Sequence, residues 1–201
     1  MDYLFEEGTG RHLLLLHGTG GDETSLVSVA RLLDKEATIL SFRGAVQEQG
    51  MNRFFKRNGL NQFDYQSLDE ESDRLLAEIY RLSEEKGIDI ADWVIVGYSN
   101  GANIAAYFMM ERETRLDKAI LLHPMSLGHK KSARVLADKN IWLSFGEGDP
   151  IVEKAVFEEL VTNFREQGAN VAVEVTETGH QVAMPELNSA KKWLEEQAWN
   201  L

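Results

Sequence analysis

Gly97-Tyr98-Ser99-Asn100-Gly101 is the stretch of this chain best suited to covalent chemistry. To its left, Trp93-Val94-Ile95-Val96 is a short apolar run rich in β-branched residues, which predicts a buried strand. To its right, Ala102-Asn103-Ile104-Ala105-Ala106, with Phe108 and Met109, predicts a helix packed on a sheet. A serine between strand and helix, with glycine on both sides, sits at the tip of a sharp turn with its hydroxyl outward. The chemistry implied is nucleophilic attack. A serine hydroxyl attacks well only when a base takes its proton and a third group orients the base.

Five histidines could serve: His12, His17, His123, His129 and His180. In a strand–turn–helix setting of this kind, nucleophile, acid and base follow one another along the chain. Only His180 lies after every plausible acid of the last third, in the loop Glu177-Thr178-Gly179-His180, so it is the expected base. The acid is expected after the strand Ile141 to Phe145, in Gly146-Glu147-Gly148-Asp149-Pro150. Asp149 is favoured over Glu147, on the expectation that Pro150 opens the next helix and leaves Asp149 at the strand's carboxyl end.

Acyl transfer also needs two N–H groups aimed at the developing oxyanion. One is expected from Asn100. The other is expected from His17-Gly18-Thr19-Gly20-Gly21-Asp22, with Thr19 preferred and Gly18 and Gly20 as near alternatives. A phosphate loop is excluded here, because no Lys-Ser/Thr pair follows and Asp22 and Glu23 would repel phosphate. His17 precedes the serine and is expected to be structural.

Strand and helix patterns alternate around these residues. Strands are predicted at Leu13 to Leu16, Ala37 to Ser41, the elbow strand, Leu116 to Leu122, Ile141 to Phe145 and Asn170 to Val175, with an antiparallel edge strand at Asp2 to Glu6. Helices are predicted from Leu26, Val29, Leu32 and Leu33, then from a capping box at Ser67-Leu68-Asp69-Glu70 to Gly87. Another carries Val152, Val156, Leu160 and Phe164, and the last starts at Pro185. Phe42 to Asp64 reads as a long irregular stretch of functional character. The alternation predicts an α/β fold with a mostly parallel sheet covered on both faces, and one domain over 1–201.

The 201 residues carry 21 Lys+Arg against 33 Asp+Glu, a net charge of −12. That balance argues against nucleic acid or an anionic membrane as partner. There are no cysteines, which excludes disulfides, thiolate catalysis and cysteine metal sites. Met1-Asp2-Tyr3-Leu4-Phe5-Glu6-Glu7 lacks the basic-then-apolar order of a signal peptide, and a cytoplasmic location is expected.

Taken in order, His17-Gly18-Thr19-Gly20-Gly21-Asp22, Ser41-Phe42-Arg43-Gly44, the serine pentapeptide, Gly148-Asp149-Pro150-Ile151-Val152 and Gly179-His180 resemble the small carboxylesterase/phospholipase family of α/β-hydrolases. Acyl-protein thioesterases are relatives in that family. The resemblance covers nearly the whole chain and implies an α/β-hydrolase fold with no large cap domain and no cofactor; no metal ligand is expected. It implies Ser99, Asp149 and His180 as triad and the N–H groups of Thr19 and Asn100 as oxyanion hole. The thioesterase branch usually has glutamine and two glycines after the serine. Here Asn100-Gly101-Ala102 follow, so the chain looks closer to the short bacterial hydrolases.

The expected activity is therefore hydrolysis of small carboxylic esters, short-chain or aryl. The alternatives are a thioesterase or lysophospholipase, or a binding module that keeps the fold without turnover. Met51, Phe54, Phe55, Phe63, Met125, Leu127 and Met184 are candidates to line an apolar pocket. If either the Phe54 or the Phe55 ring closes it, its replacement by alanine is expected to shift the optimum to longer or bulkier esters. Arg53, Lys56 and Arg57 form a basic cluster, expected to be a solvated or ion-paired face rather than a site for a substrate carboxylate.

Overall fold

The computed structural model describes residues 1–59, 61–128 and 134–198; His129 lies outside them. A seven-stranded sheet is built from β1 (Tyr3–Glu6), β2 (His12–Leu16), β3 (Thr38–Phe42), β8 (Trp93–Tyr98), β9 (Lys118–Leu122), β10 (Asn140–Gly146) and β11 (Asn170–Thr176). Its order is β1-β3-β2-β8-β9-β10-β11. All neighbours are parallel except β1, which pairs antiparallel with β3 at the edge. The four strands at the centre and the flanking β3 read as apolar runs because both faces of the sheet are covered. On β11, the other edge, burial alternates instead.

The two-residue period of a strand sorts the side chains into two cores. Leu14, Leu16, Leu40, Phe42 and Ile95 pack with α2 (Tyr65–Lys86), α3 (Asn100–Glu111) and α4 (Lys154–Glu166). Leu13, Leu15, Ile39, Val94 and Val96 pack on the other face with α1 (Val27–Leu33) and α5 (Met184–Glu196). Helix α3 is buried along Asn100 to Met110, which accounts for its apolar character on every side.

Four local expectations need correction. Phe42 to Asp64 is not irregular: β4 (Val46–Glu48) pairs with β5 (Met51–Arg53), and β6 (Arg57–Gly59) pairs with β7 (Gln62–Phe63). Gln49 and Gly50, both at positive φ (52° and 76°), form the two-residue loop of the first hairpin; such tight turns suit the right-handed strand twist. Helix α2 starts before the predicted capping box. Asp64 caps it, accepting from the Ser67 N–H at 2.9 Å, while the Ser67 hydroxyl accepts from the Lys56 N–H. Leu32 lies on the solvent side of the seven-residue α1 and is 47% exposed. Pro150 does not open a helix: α4 begins at Lys154, and Asp149 organises its own turn, its Oδ1 accepting from the N–H groups of Ile151 (2.8 Å) and Val152 (3.0 Å).

Candidate active site

Ser99 joins β8 to α3 with φ 49° and ψ −112°, a conformation that L-residues rarely adopt. The flanking glycines are required by close approach. A Cβ at Gly101 would lie 2.1 Å from the Leu16 carbonyl oxygen, and one at Gly97 would lie 2.8 Å from Ala102 Cα. The Ser99 N–H donates to the Leu122 carbonyl at 2.9 Å, tying the elbow to β9.

His180 stands over this turn in the loop between β11 and α5. Its Nε2 is 2.9 Å from Ser99 Oγ, and its Nδ1 is 2.7 Å from Asp149 Oδ2. A carboxylate can only accept, so Nδ1 carries the proton and Nε2 presents its lone pair to the hydroxyl. The Gly148 N–H donates to the Thr178 carbonyl (3.0 Å) and the Tyr98 hydroxyl donates to the His180 carbonyl (2.9 Å), so the three loops brace one another. Burial works to raise the Asp149 carboxyl. Hydrogen bonds from His180, Val152 and Ile151 outweigh it and hold Asp149 below the ordinary carboxylate range. Glu147 is exposed and takes no part in this chain of contacts.

Asn100 opens α3, so its N–H has no acceptor within the helix. Among the described residues, no loop or cap hydrogen bond engages the N–H of Thr19 or Asn100. The Thr19 hydroxyl accepts from Arg53 Nη1 at 2.7 Å, and the Gly20 N–H donates to the Asn52 carbonyl, so the β4–β5 hairpin supports the glycine-rich loop. His17 is structural. The Gly44 N–H donates to its Nε2 (3.0 Å) and its Nδ1 donates to the Gly18 carbonyl (2.6 Å); burial lowers its pKa and favours the neutral ring this pairing needs.

A cavity of roughly 350 Å³ opens beside Ser99. Met51, Phe63 and Met125 line it, with Arg53, Asn61, Asn103 and Ile151. A larger cavity of roughly 620 Å³ does not reach Ser99, but it shares Asn61, Phe63 and Met125 with the first and includes Leu127. Three expected lining residues are elsewhere. Phe54 and Phe55 are fully buried in the core, Phe54 with its N–H on Asn100 Oδ1 and its ring against His17, Phe55 against Phe63. Met184 starts α5, faces solvent and is absent from the cavity wall.

The basic cluster is ion-paired at Arg53 and Arg57, as expected, but it is not a surface face throughout. Arg53 is buried and lines the cavity with Ser99; only Lys56 is exposed. Arg53 Nε donates to the Phe55 carbonyl, and Glu48 pairs with Arg57 at 2.6 Å and lies 3.6 Å from Arg53. Two guanidinium groups therefore share one carboxylate, and one positive charge is left over at the cavity. The period of a strand puts Arg53 on the same side as Met51, but a three-residue strand is too short to be recognised in the sequence.

His123, Asp149 and His180 bring potential ligand atoms within 4.8 Å of one another. Both ring nitrogens of His180 and both oxygens of Asp149 are already engaged within the protein, which leaves poor donors for a metal. No helix among the described residues is long and apolar enough to cross a membrane.

Residues 47–201 match the model of the dienelactone hydrolase family. The chain belongs to that family. It is 38% identical to the protein MhqD of Bacillus subtilis (strain 168) over 197 residues, 98% of each chain. Its fold superposes on the Bacillus cereus carboxylesterase with a TM-score of 0.94 at 38% identity, covering 98% of this chain and 94% of that one. It matches YahD, whose structure was determined with malic acid, with a TM-score of 0.92 at 39% identity over 97% and 98% of the two chains. Like other members of the dienelactone hydrolase family, the protein is a hydrolase, and the expected likeness to small carboxylesterases holds across the whole fold.

Proposed function

We propose that this hydrolase is a serine esterase that cleaves small carboxylic esters, short-chain or aryl, through an acyl-enzyme on Ser99. The observation that carries the reading is the 2.9 Å contact of Ser99 Oγ with His180 Nε2, whose opposite nitrogen is held by Asp149 at 2.7 Å. His180 takes the hydroxyl proton as Oγ attacks the ester carbonyl. The N–H groups of Thr19 and Asn100 receive the oxyanion. The alcohol leaves with the proton from His180, and water repeats the sequence to release the acid. The net charge of −12 and the cysteine-free composition support a small-molecule substrate in the cytoplasm, without nucleic acid or membrane.

A cavity of roughly 350 Å³ with several polar walls supports short acyl groups. Across a series of p-nitrophenyl esters, kcat/KM is expected to peak at about C2 to C6, because each further CH₂ gains its ~0.8 kcal/mol only while apolar wall remains. Met51→Ala or Met125→Ala should move the peak to longer chains, whereas Phe54→Ala should only destabilise the core. A profile that climbs beyond about C10 would instead indicate a lipid or acyl-protein substrate.

Arg53 favours a refinement: esters whose acyl part ends in a carboxylate. The malic acid of the related YahD structure is a small dicarboxylic acid, the type of acid that such an ester would release. A charged hydrogen bond contributes about 1.5–3 kcal/mol, so a hemisuccinate ester should exceed the neutral butyrate ester by about tenfold or more in kcat/KM. Arg53→Met should erase that ratio. Arg53 also supports Thr19, so both substrates are expected to slow and the ratio is the quantity to measure. An unchanged ratio would place the carboxylate elsewhere.

A further inference from the structure

Asp149 Oδ2 lies between two imidazoles. His180 Nδ1 is at 2.7 Å, and His123 Nδ1 is at 3.4 Å. His123 follows β9 at φ 50°, and its side chain is wholly inaccessible to solvent. Its other nitrogen, Nε2, is 3.2 Å and 3.1 Å from the two carboxylate oxygens of Glu186. Glu186 is also inaccessible and belongs to the first turn of α5, where Oε1 accepts from the Ala183 N–H. The line Ser99–His180–Asp149–His123–Glu186 thus draws on five separate segments around the carboxyl ends of the sheet.

The proton count of this buried group is constrained. A neutral imidazole has one N–H, so with two carboxylates it would turn a lone pair toward one of them. An imidazolium has two: Nε2–H donates to Glu186, and the ring's charge lies 3.4 Å from Asp149 Oδ2, an ion-pair contact in which Nδ1–H makes no hydrogen bond. Unpaired charge at complete burial is costly, whereas a cation between two anions is compensated on each side. The remaining group against this cluster is Tyr98, whose ring meets His123 edge-on with centroids 6.2 Å apart and whose hydroxyl is on the His180 carbonyl. No lysine or arginine is among the cluster's described salt-bridge partners.

We propose that His123 and Glu186 are positioning residues: His123, as an imidazolium held by Glu186, anchors Asp149 Oδ2 on its line to His180. This rests on the esterase reading for its consequence, though not for its geometry. Without the cation, Asp149 would face Glu186 across an uncompensated gap, and a proton on His180 would be held more tightly.

The test pairs kinetics with spectroscopy. His123→Gln should move the acid limb of the kcat/KM profile upward by about one pH unit, lowering kcat/KM about tenfold just below the wild-type limb. KM for a neutral ester should stay within about twofold, since neither residue lines the cavity. The double variant His123→Gln/Glu186→Gln removes the buried carboxylate as well; it should fold if the single variant does not, and should shift the limb in the same direction by less, because the cation lost beside Asp149 is partly offset by the anion lost with it. Nitrogen-15 NMR of uniformly labelled wild-type protein at neutral pH should show one histidine with both ring nitrogens protonated, absent from either variant. A wild-type profile in a folded variant, or a single protonated nitrogen on His123, would overturn the proposal. If the wild type hydrolyses no ester, the esterase reading fails while the NMR result still decides the protonation of His123.

Discussion

Ser99→Ala is expected to abolish labelling by a fluorophosphonate probe and to lower ester turnover by about five to six powers of ten, as loss of the nucleophile does where the residues act as a unit. The fold should be unaffected. Residue 99 holds its unusual φ of 49° through backbone restraints that alanine keeps: its N–H on Leu122 and its carbonyl accepting from Asn103. Alanine removes only a hydroxyl whose partner, His180, remains on Asp149. Thermal unfolding should therefore shift by no more than a few degrees. Full labelling of the alanine variant would move the nucleophile to another residue, and unchanged turnover would remove covalent catalysis from the mechanism.

Asp149→Asn is expected to cost about 10⁴ in kcat. The amide oxygen of asparagine can still accept from Ile151 and Val152, so the turn persists. Its NH₂ then faces His180 Nδ1, which must accept and not donate. The imidazole proton moves to Nε2, and the lone pair aimed at Ser99 disappears. Glu147→Gln, on an exposed side chain in the same loop, should leave kcat within about twofold. Near-normal activity in the Asp149 variant, with loss in the Glu147 variant, would reverse the assignment. Stability supplies a second check. Asp149 is held below its ordinary pKa, so its contribution is complete above about pH 4 and fades as acid protonates the folded state. The difference in melting temperature between wild type and Asp149→Asn should narrow as the pH falls below that point.

Within the site, legibility followed the range of the interactions. The serine elbow is a local device: strand, glycine-flanked turn and helix adjoin one another, and the glycines mark where the turn meets Leu16 and Ala102. Asp149 and His180 were legible because each follows a strand with an unambiguous apolar pattern, and parallel strands bring such loops to one edge of the sheet. The choice of Asp149 had a different physical basis from the one expected. Its loop is held by an aspartate turn and by hydrogen bonds to the His180 loop, not by a helix opening at Pro150.

The hairpin region was the hardest to read. Between Phe42 and Asp64 the strands are two or three residues long, too short for alternation to rise above chance. Inward and outward therefore could not be assigned there, and the bulky Phe54 and Phe55 looked like pocket walls while Arg53 looked like surface. The tertiary structure reverses these placements. Asn100 Oδ1 captures the Phe54 N–H and draws the chain into the core, and the preceding strand residue is left facing the cavity.

The βα alternation, the two-sided core and the order of the nucleophile, acid and base candidates are legible in the residues alone, since each is written in a period or a turn spanning a few neighbouring residues. Which side chains face the cavity follows from long-range packing alone. The same packing joins His123 to Glu186, 63 positions later. A contact between side chains on separate elements depends on how α5 packs against the end of β9, and no local pattern of residues encodes that distance.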